Sequence, residues 1–155
     1  MHPVTGRASR TAEGEYEFSP EGEICHDGGT RFLFHKDRHG MAKKDYHLVE
    51  FVLDDHTGSG LKFPPVPHDA MWVMPVEDRS NPRCPDKDTV SDYSVMEPIC
   101  VCDDGQRLIV RNDNPRQEDW SFTLNFVPAG ANESDANAYV NWDPIGSNQN
   151  GGSGG

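Results

Sequence analysis

Residues 120–127 read Trp-Ser-Phe-Thr-Leu-Asn-Phe-Val, and this stretch decides the fold class. Its large apolar side chains occupy every second position: Trp120, Phe122, Leu124 and Phe126. Successive side chains of a β-strand point to opposite faces, so this alternation predicts a strand with one face in a hydrophobic core. Core packing is therefore the predicted role of Trp120.

A second stretch, residues 46–54, shows the same period of two. The side chains expected on its core face are His47, Val49, Phe51 and Leu53. His47 is thus the histidine that we expect to be buried, and a buried imidazole is expected to be hydrogen-bonded.

Further short apolar or aromatic runs are separated by Gly, Pro, Asn and Asp. They lie at residues 15–18, 31–35, 70–76, 95–102, 106–112 and 138–142. Asp103-Asp104-Gly105 between two of these runs is a hairpin signal. No stretch carries a helical stripe, so we expect at most a turn or two of helix. The pattern predicts an all-β, antiparallel β-sandwich of the immunoglobulin-like kind with seven or eight strands. A small β-barrel is the alternative.

The ends of the chain differ in composition from its middle. Residues 1–14 are polar and are expected to form an N-terminal arm, and residues 146–155 are expected to form a Gly/Ser/Asn tail. The single β-sandwich domain is then expected over residues 15–145. Residues 77–92 are expected to form a long surface loop.

The net charge of −12 excludes several classes of partner. Phosphate binding requires clustered Lys and Arg, so nucleic acid is not expected as a partner, and the same charge disfavours anionic membranes. No apolar run approaches the roughly 20 residues of a membrane span. The N-terminal residues lack the apolar segment of a secretory signal. We therefore expect a cytoplasmic protein, with a virion or surface assembly as the alternative location.

Sulfur and nitrogen donors suggest one metal site. The candidate ligands are Cys25, His26, Cys84, Cys100 and Cys102, and four such donors would suit zinc. The paired C-x-x-C knuckles of zinc sites are absent, however. We therefore expect free thiols, with Cys100 and Cys102 on one face of a strand and no cofactor, and a zinc site is the alternative.

Three other groups of residues, which are histidines, acidic pairs and aromatic residues, could carry a function or could be purely structural. His35-x-Asp37 and His68-Asp69 resemble parts of a two-histidine, one-carboxylate iron site, but ordinary exposed histidines have the same pattern. The acidic pairs of the chain fall in predicted turns, where solvated carboxylates are expected. The aromatic residues that could form a sugar-stacking platform are Trp72, Trp120, Trp142, Tyr46, Tyr93 and Tyr139.

A set of short motifs resembles a known protein group. Gly58-Ser-Gly60 leads through Phe63-Pro64-Pro65 to Met71-Trp72-Val73, and Met96-Glu97-Pro98 follows. The remaining motifs are Arg111-Asn112, Trp120–Phe126, Asp143-Pro144-Ile145 and Asn148. Together they resemble the DP-EP group of small bacterial proteins over about residues 45–150. The resemblance implies an all-β sandwich without an established activity, and it supplies no catalytic residue.

Three functions remain open from the sequence. The first is a non-catalytic β-sandwich that binds a protein partner or another copy of itself, as an accessory or decoration subunit of a larger assembly. Trp142 and Ile145 are its expected partner contacts, because nothing apolar follows Ile145. The second is a His/Cys metal-binding domain or metalloenzyme, and the third is a carbohydrate-binding module. A sandwich hosts all three, so the fold does not choose between them.

Overall fold

The computed structural model describes residues 2–22, 25–26, 31–35, 47–76, 83–113, 118–142 and 145–149. Among these residues two β-sheets pack face to face, and no closed barrel is formed. The strands are β1 (His2–Arg10), β2 (Tyr16–Glu21), β3 (Cys25–His26), β4 (Arg31–His35), β5 (His47–Asp55), β6 (Met71–Pro75), β7 (Met96–Cys102), β8 (Arg107–Asn112), β9 (Glu118–Phe126), β10 (Val140–Trp142) and β11 (Ile145–Gln149). Helix in the described part is limited to one turn, α1 (Pro67–Ala70), and the 3-10 turns Asp103–Gly105 and Ala136–Ala138. The all-β sandwich is therefore confirmed.

The first sheet has the strand order β2-β1-β5-β8-β7. Three of its pairings are antiparallel, whereas β1 runs parallel to β5, with Val4 opposite Phe51. A parallel pair needs a long crossover connection, and here the chain passes through β2, β3 and β4 before it returns as β5. Most strand pairs of the described structure are antiparallel, as predicted, and β1–β5 is one of its parallel pairs.

The second sheet is built around β9. Strand β6 lies along one edge of β9, with Met71 opposite Leu124. Strands β10 and β11 follow one another along the opposite edge, with Trp142 opposite Leu124 and Ile145 opposite Ser121. Strand β4 then pairs in parallel with β11, and β3 completes the sheet.

The core lies between the two sheets. All seven side chains expected there are buried, which confirms the prediction: Val49, Phe51, Leu53, Trp120, Phe122, Leu124 and Phe126. The Phe51 and Phe122 rings meet across the sandwich at 5.9 Å between centroids. Each such side chain contributes about 1.5–3 kcal/mol when it leaves water, so this interface dominates the stability of the fold. His47 is fully buried, as expected.

The N-terminal residues do not form a polar arm. They form strand β1, which lies inside the first sheet between β2 and β5. Val4, Gly6 and Ala8 alternate on its buried face. These side chains are small, so their period of two adds little to local hydropathy, and the segment looks polar in sequence. The domain therefore begins before residue 15.

The expected C-terminal tail is also corrected in part. Residues 145–149 form β11, which pairs with β9 on one side and β4 on the other. Main-chain hydrogen bonds hold a strand without help from apolar side chains, which explains how a Gly-Ser-Asn-Gln sequence enters a sheet. Residues 150–155 of the expected tail lie outside the described residues.

The turn between β7 and β8 confirms the hairpin and has an unusual backbone. Asp103, Asp104 and Gly105 all have positive φ, at 52°, 53° and 85°. Asp tolerates this left-handed region better than most residues do, and Gly adopts it without strain.

Within the described residues, no helix has the length and hydropathy needed to cross a membrane.

Candidate functional site

The face of the second sheet that points away from the core carries a groove with an aromatic floor. Trp72 lies on this face because its neighbours in β6, Met71 and Val73, point into the core. Tyr139 immediately precedes β10 and lies beside it. The two ring centroids are 6.1 Å apart and the ring planes are inclined by 41°. Both side chains are half-buried, so each ring is fixed by packing and still reaches solvent.

Polar side chains surround these two rings. The groove, called here the Trp72–Tyr139 groove, is also lined by Asp86, Lys87, Asn137 and Asn141. It has a volume of about 260 Å³, and these four polar residues are exposed. Apolar ring faces next to a small number of hydrogen-bonding groups are typical of small-molecule sites.

The loop wall of the groove is fastened to the sheet. Within residues 83–92, the carbonyl of Pro85 accepts a hydrogen bond of 2.7 Å from the Thr123 hydroxyl of β9. The amide of Asp92 donates to the carbonyl of Val73 at 2.9 Å. This part of the expected surface loop therefore covers the second sheet, while residues 77–82 lie outside the described residues.

A chain of amides fixes the opposite wall. The Asn141 side chain donates from Nδ2 to Asn125 Oδ1 at 2.7 Å, and Asn125 donates from Nδ2 to the carbonyl of Asp69 at 2.9 Å. Asn125 is fully buried, as are Ser121 and Thr123 on the same face of β9. A buried amide requires such partners, so the position of Asn141 is tied to the interior of the protein.

Tyr139 is held at its hydroxyl end as well. Its hydroxyl donates to the carbonyl of Glu133 at 3.0 Å, and the Glu133 carboxylate forms an ion pair with Lys62. Asp135 Oδ1 accepts from the amide of Asn137 at 3.0 Å and so begins the 3-10 turn before the tyrosine. Hydrogen bonds and an ion pair thus hold this wall of the groove in place, and a preorganised surface of this kind lowers the entropic cost of binding.

Two groups that line the groove, Asp86 and Tyr139, have fixed protonation states near neutral pH. The amide of Asp88 and the hydroxyl of Thr89 donate to Asp86 at 2.9 and 3.0 Å and hold the pKa of this carboxyl below its ordinary 3.8. Burial, together with the nearby Asp69 and Asp135 carboxylates, raises the pKa of Tyr139 above 10.0. Asp86 is therefore an acceptor and Tyr139 a neutral phenol.

The candidate zinc ligands do not converge in the described structure. Cys100 and Cys102 lie together on the first sheet, with their Sγ atoms 3.1 Å apart, whereas Cys84 precedes Pro85 over the second sheet. Cys100 and Cys102 are free thiols, as expected. The side chains of Cys25 and His26 lie outside the described residues. In the part that the structure describes, no group of three or more His, Cys, Asp or Glu is placed to hold a metal.

His68, one of the residues considered as an iron ligand, has other contacts. The His68 ring stacks on Tyr93 at 4.2 Å between centroids, and its Nε2 lies 3.3 Å from Glu97 Oε1. His68 is about half exposed, so this pair is screened by solvent. The side chain of His35 and the whole of Asp37 lie outside the described residues.

Trp142 is not an exposed partner contact. It is only 9% exposed and belongs to the core, where it stacks on Phe18 at 5.6 Å between centroids. Gly6 of β1 explains this burial, because a Cβ there would lie 2.9 Å from Trp142 Cζ3. The missing side chain of Gly6 provides the space for the indole. The side chain of Ile145, the second expected contact, lies outside the described residues.

A second cavity, of about 310 Å³, opens at the turn between β7 and β8. Its walls include Lys62, Phe63, Cys102 and the Asp103–Gly105 turn. The turn is anchored from behind, since Phe63 donates its amide hydrogen to the carbonyl of Gly105 at 2.7 Å. The Cys102 side chain thus forms part of the wall of a cavity that is open to solvent.

Of the six aromatic residues that the sequence offers as a platform, the structure brings Trp72 and Tyr139 together. Sequence reasoning did not find their polar neighbours, because Asp86 and Asn137 come from separate loops whose approach depends on the tertiary fold. A scan against protein-family models and a search of curated proteins gave no match to this chain.

Proposed function

We propose that the protein is a non-catalytic β-sandwich binding domain whose ligand is a neutral carbohydrate held in the Trp72–Tyr139 groove. One observation carries this proposal: two half-exposed aromatic rings, 6.1 Å apart, share one groove with four exposed polar side chains.

The chemistry of a sugar suits such a groove. A sugar ring presents an apolar C–H face and an edge of hydroxyl groups. The ring faces of Trp72 and Tyr139 offer rigid apolar surface, and the amides of Asn137 and Asn141 offer both donors and acceptors. The net charge of −12 repels anionic ligands over long range, which favours an uncharged sugar over an acidic one.

The protonation states of the groove support binding over catalysis. Sugar hydrolysis by a carboxylate pair requires a carboxylic acid that is still protonated near the working pH. Asp86 has the opposite character, because its hydrogen bonds lower its pKa. Within the groove Asp86 therefore supplies an acceptor for a hydroxyl group and no proton.

The carbohydrate proposal replaces the assembly hypothesis as the leading one. That hypothesis depended on Trp142 and Ile145 as exposed anchors, and the indole of Trp142 is instead enclosed by Phe18 and Gly6. The groove is an alternative recognition surface that keeps the non-catalytic role.

Isothermal titration with a panel of neutral oligosaccharides tests the proposal. The panel comprises β-1,4-glucan, α-1,4-glucan, xylan and mannan oligomers, and a weak affinity, on the order of 0.1–1 mM, is expected for a shallow site. Trp72→Ala and Tyr139→Ala should each weaken binding at least tenfold, or about 1.4 kcal/mol. Val90→Ala is the matched control, because Val90 lies on the same loop as Asp86 and is 92% exposed.

The proposal fails if no oligomer of the panel binds. It also fails if an oligomer binds but the affinity is the same in Trp72→Ala, Tyr139→Ala and Val90→Ala. Circular dichroism of each variant checks that the sandwich is folded, so that lost binding is not mistaken for lost structure.

A further inference from the structure

The first sheet carries a pair of thiols at its exposed edge. Cys100 and Cys102 lie two residues apart in β7, the edge strand, and pair with Ile109 and Arg107 of β8. Arg107 points away from the core toward Glu50, with which it forms an ion pair. Cys102 lies opposite Arg107, and Cys100 lies two residues before it, so both cysteines are on the outer face of the sheet. The two Sγ atoms are 3.1 Å apart.

Both sulfur atoms are accessible. Cys100 is exposed, and Cys102 is half-buried but lines the cavity of about 310 Å³ beside the Asp103–Gly105 turn. The register of β7 shifts between Pro98 and Cys100, so the ladder with β8 is irregular just before the thiols. Such an edge strand can adjust locally, because no other described strand pairs with its outer side.

We propose that Cys100 and Cys102 form a reversible redox site, which closes to an intramolecular disulfide by thiol–disulfide exchange with a low-molecular-weight disulfide such as glutathione disulfide. The proposal is independent of carbohydrate binding, since the thiols and the Trp72–Tyr139 groove lie on different sheets.

The exchange proceeds in two steps. The Cys100 thiolate attacks one sulfur of the small disulfide, forms a mixed disulfide and releases one small thiolate. Cys102 then loses its proton to solvent, its sulfur attacks Cys100 Sγ, and the second small thiolate leaves. The protein loses two protons and two electrons, and the small disulfide becomes two thiols.

The environment assigns the order of these steps. The hydrogen bond to Cys100 is the largest cause that raises the pKa of Cys102 above 9.0, which disfavours the Cys102 thiolate while both thiols are reduced. Cys100, the more exposed of the two, is then the first nucleophile, and Cys102 resolves the mixed disulfide. Arg107 acts in the opposite direction and favours the Cys102 thiolate once the proton leaves.

Geometry makes the disulfide readily reducible. Residues two apart on a strand have Cα atoms separated by about 6.6 Å, near the upper limit that a disulfide spans. The sulfurs must also approach by about 1 Å from their 3.1 Å separation to reach bonding distance. A strained, exposed disulfide is more oxidising than a structural one and is therefore suited to reversible exchange.

The test equilibrates the full chain in glutathione buffers of increasing oxidising strength, followed by alkylation of free thiols and mass spectrometry. The wild type should lose two alkylation sites together, with peptide mapping to Cys100–Cys102, and regain them in excess reduced glutathione. Cys102→Ser should instead accumulate a mixed glutathione disulfide on Cys100, because the resolving thiol is gone. Cys84→Ser is the matched control and should oxidise like the wild type.

Three results would overturn the proposal. The first is full alkylation of both thiols in the most oxidising buffer. The second is a disulfide that maps to Cys84 or Cys25. The third is a mixed disulfide that persists in the wild type as it does in Cys102→Ser.

Discussion

Replacement of Trp142 by alanine tests whether the last tryptophan belongs to the core or to an exposed contact. The indole is 9% exposed, stacks on Phe18 and fills the space above Gly6. Truncation leaves a cavity between β1, β2 and β10, and buried tryptophan or phenylalanine to alanine changes cost about 3–5 kcal/mol. We take about 3 kcal/mol, because the ring lies at the margin of the core.

Urea unfolding followed by circular dichroism measures this cost. With a slope of about 2 kcal/mol/M for a domain of this size, a loss of about 3 kcal/mol moves the unfolding midpoint down by about 1.5 M. Trp72→Ala is the matched control: Trp72 is half-exposed, so its midpoint should fall by less than half as much.

Gly6→Ala supplies a second arm of the experiment. A Cβ at Gly6 would lie 2.9 Å from Trp142 Cζ3, so the substitution should cost about 1–3 kcal/mol in the wild type. In the Trp142→Ala background the ring is absent and the added cost should nearly vanish. A double-mutant cycle with no coupling between the two sites, or a midpoint shift of Trp142→Ala below about 0.3 M, would refute the placement of Trp142 in the core.

Three further predictions concern local features of the fold. For Asp55, burial opposes ionisation, but the hydrogen bonds from Thr57 and Leu61 outweigh it and lower the pKa of the carboxyl below 3.8. The carboxylate therefore stabilises the folded state at neutral pH and loses this effect as the pH falls through the folded-state pKa. The stability difference between the wild type and Asp55→Ala, measured by urea unfolding at a series of pH values, should shrink in acid, and a pH-independent difference would contradict this. Thr123→Val should lower the free energy of unfolding by about 1–2 kcal/mol, because it removes the donor to the Pro85 carbonyl. Thr123→Ser keeps that donor and is the control. Equal stability of Thr123→Val and the wild type would show that the hydrogen bond is dispensable. Gly105→Ala should lower the melting temperature more than Gly130→Ala does. Both glycines have a φ of +85°, but only at Gly105 would an added Cβ lie 2.7 Å from Lys62 Cβ. Equal effects of the two substitutions would mean that backbone strain alone causes the loss of stability.

The alternation of apolar residues predicted one face of each main strand correctly. In β9 it identified Phe122 and Leu124 as core residues, because a period of two follows directly from strand geometry. It did not reveal that the opposite face is also covered. Thr123 and Asn125 are buried there by a loop and by α1, and these distant segments leave no signature in the strand itself.

The ends of the chain were harder to predict for a related reason. Strand β1 contributes Gly6 and Ala8 to the core, and such small residues carry almost no hydropathy signal. Their value lies in their shape, since Gly6 makes room for the indole of Trp142. The alternation Val4, Gly6, Ala8 was the only available sign, and it becomes meaningful once the partner of β1 is known.

The candidate site shows the same limit. Trp72 and Tyr139 were among the aromatic residues named from the sequence, but 66 positions separate them in the chain. They meet because β6 and β10 lie on either side of β9. The residue types thus identified the aromatic candidates, whereas the order of strands in the sheet determined which of their rings share a surface.

The most direct test of the carbohydrate proposal is an NMR titration that follows the indole N–H signals. The chain has three tryptophans, and Trp72 alone faces the groove, while Trp120 and Trp142 are buried in the core. Addition of the neutral oligosaccharide that binds in calorimetry should shift the Trp72 indole signal in a saturable way and leave the other two in place. A saturable shift confined to the signals of Trp120 or Trp142, or binding with no change at Trp72, would contradict the account.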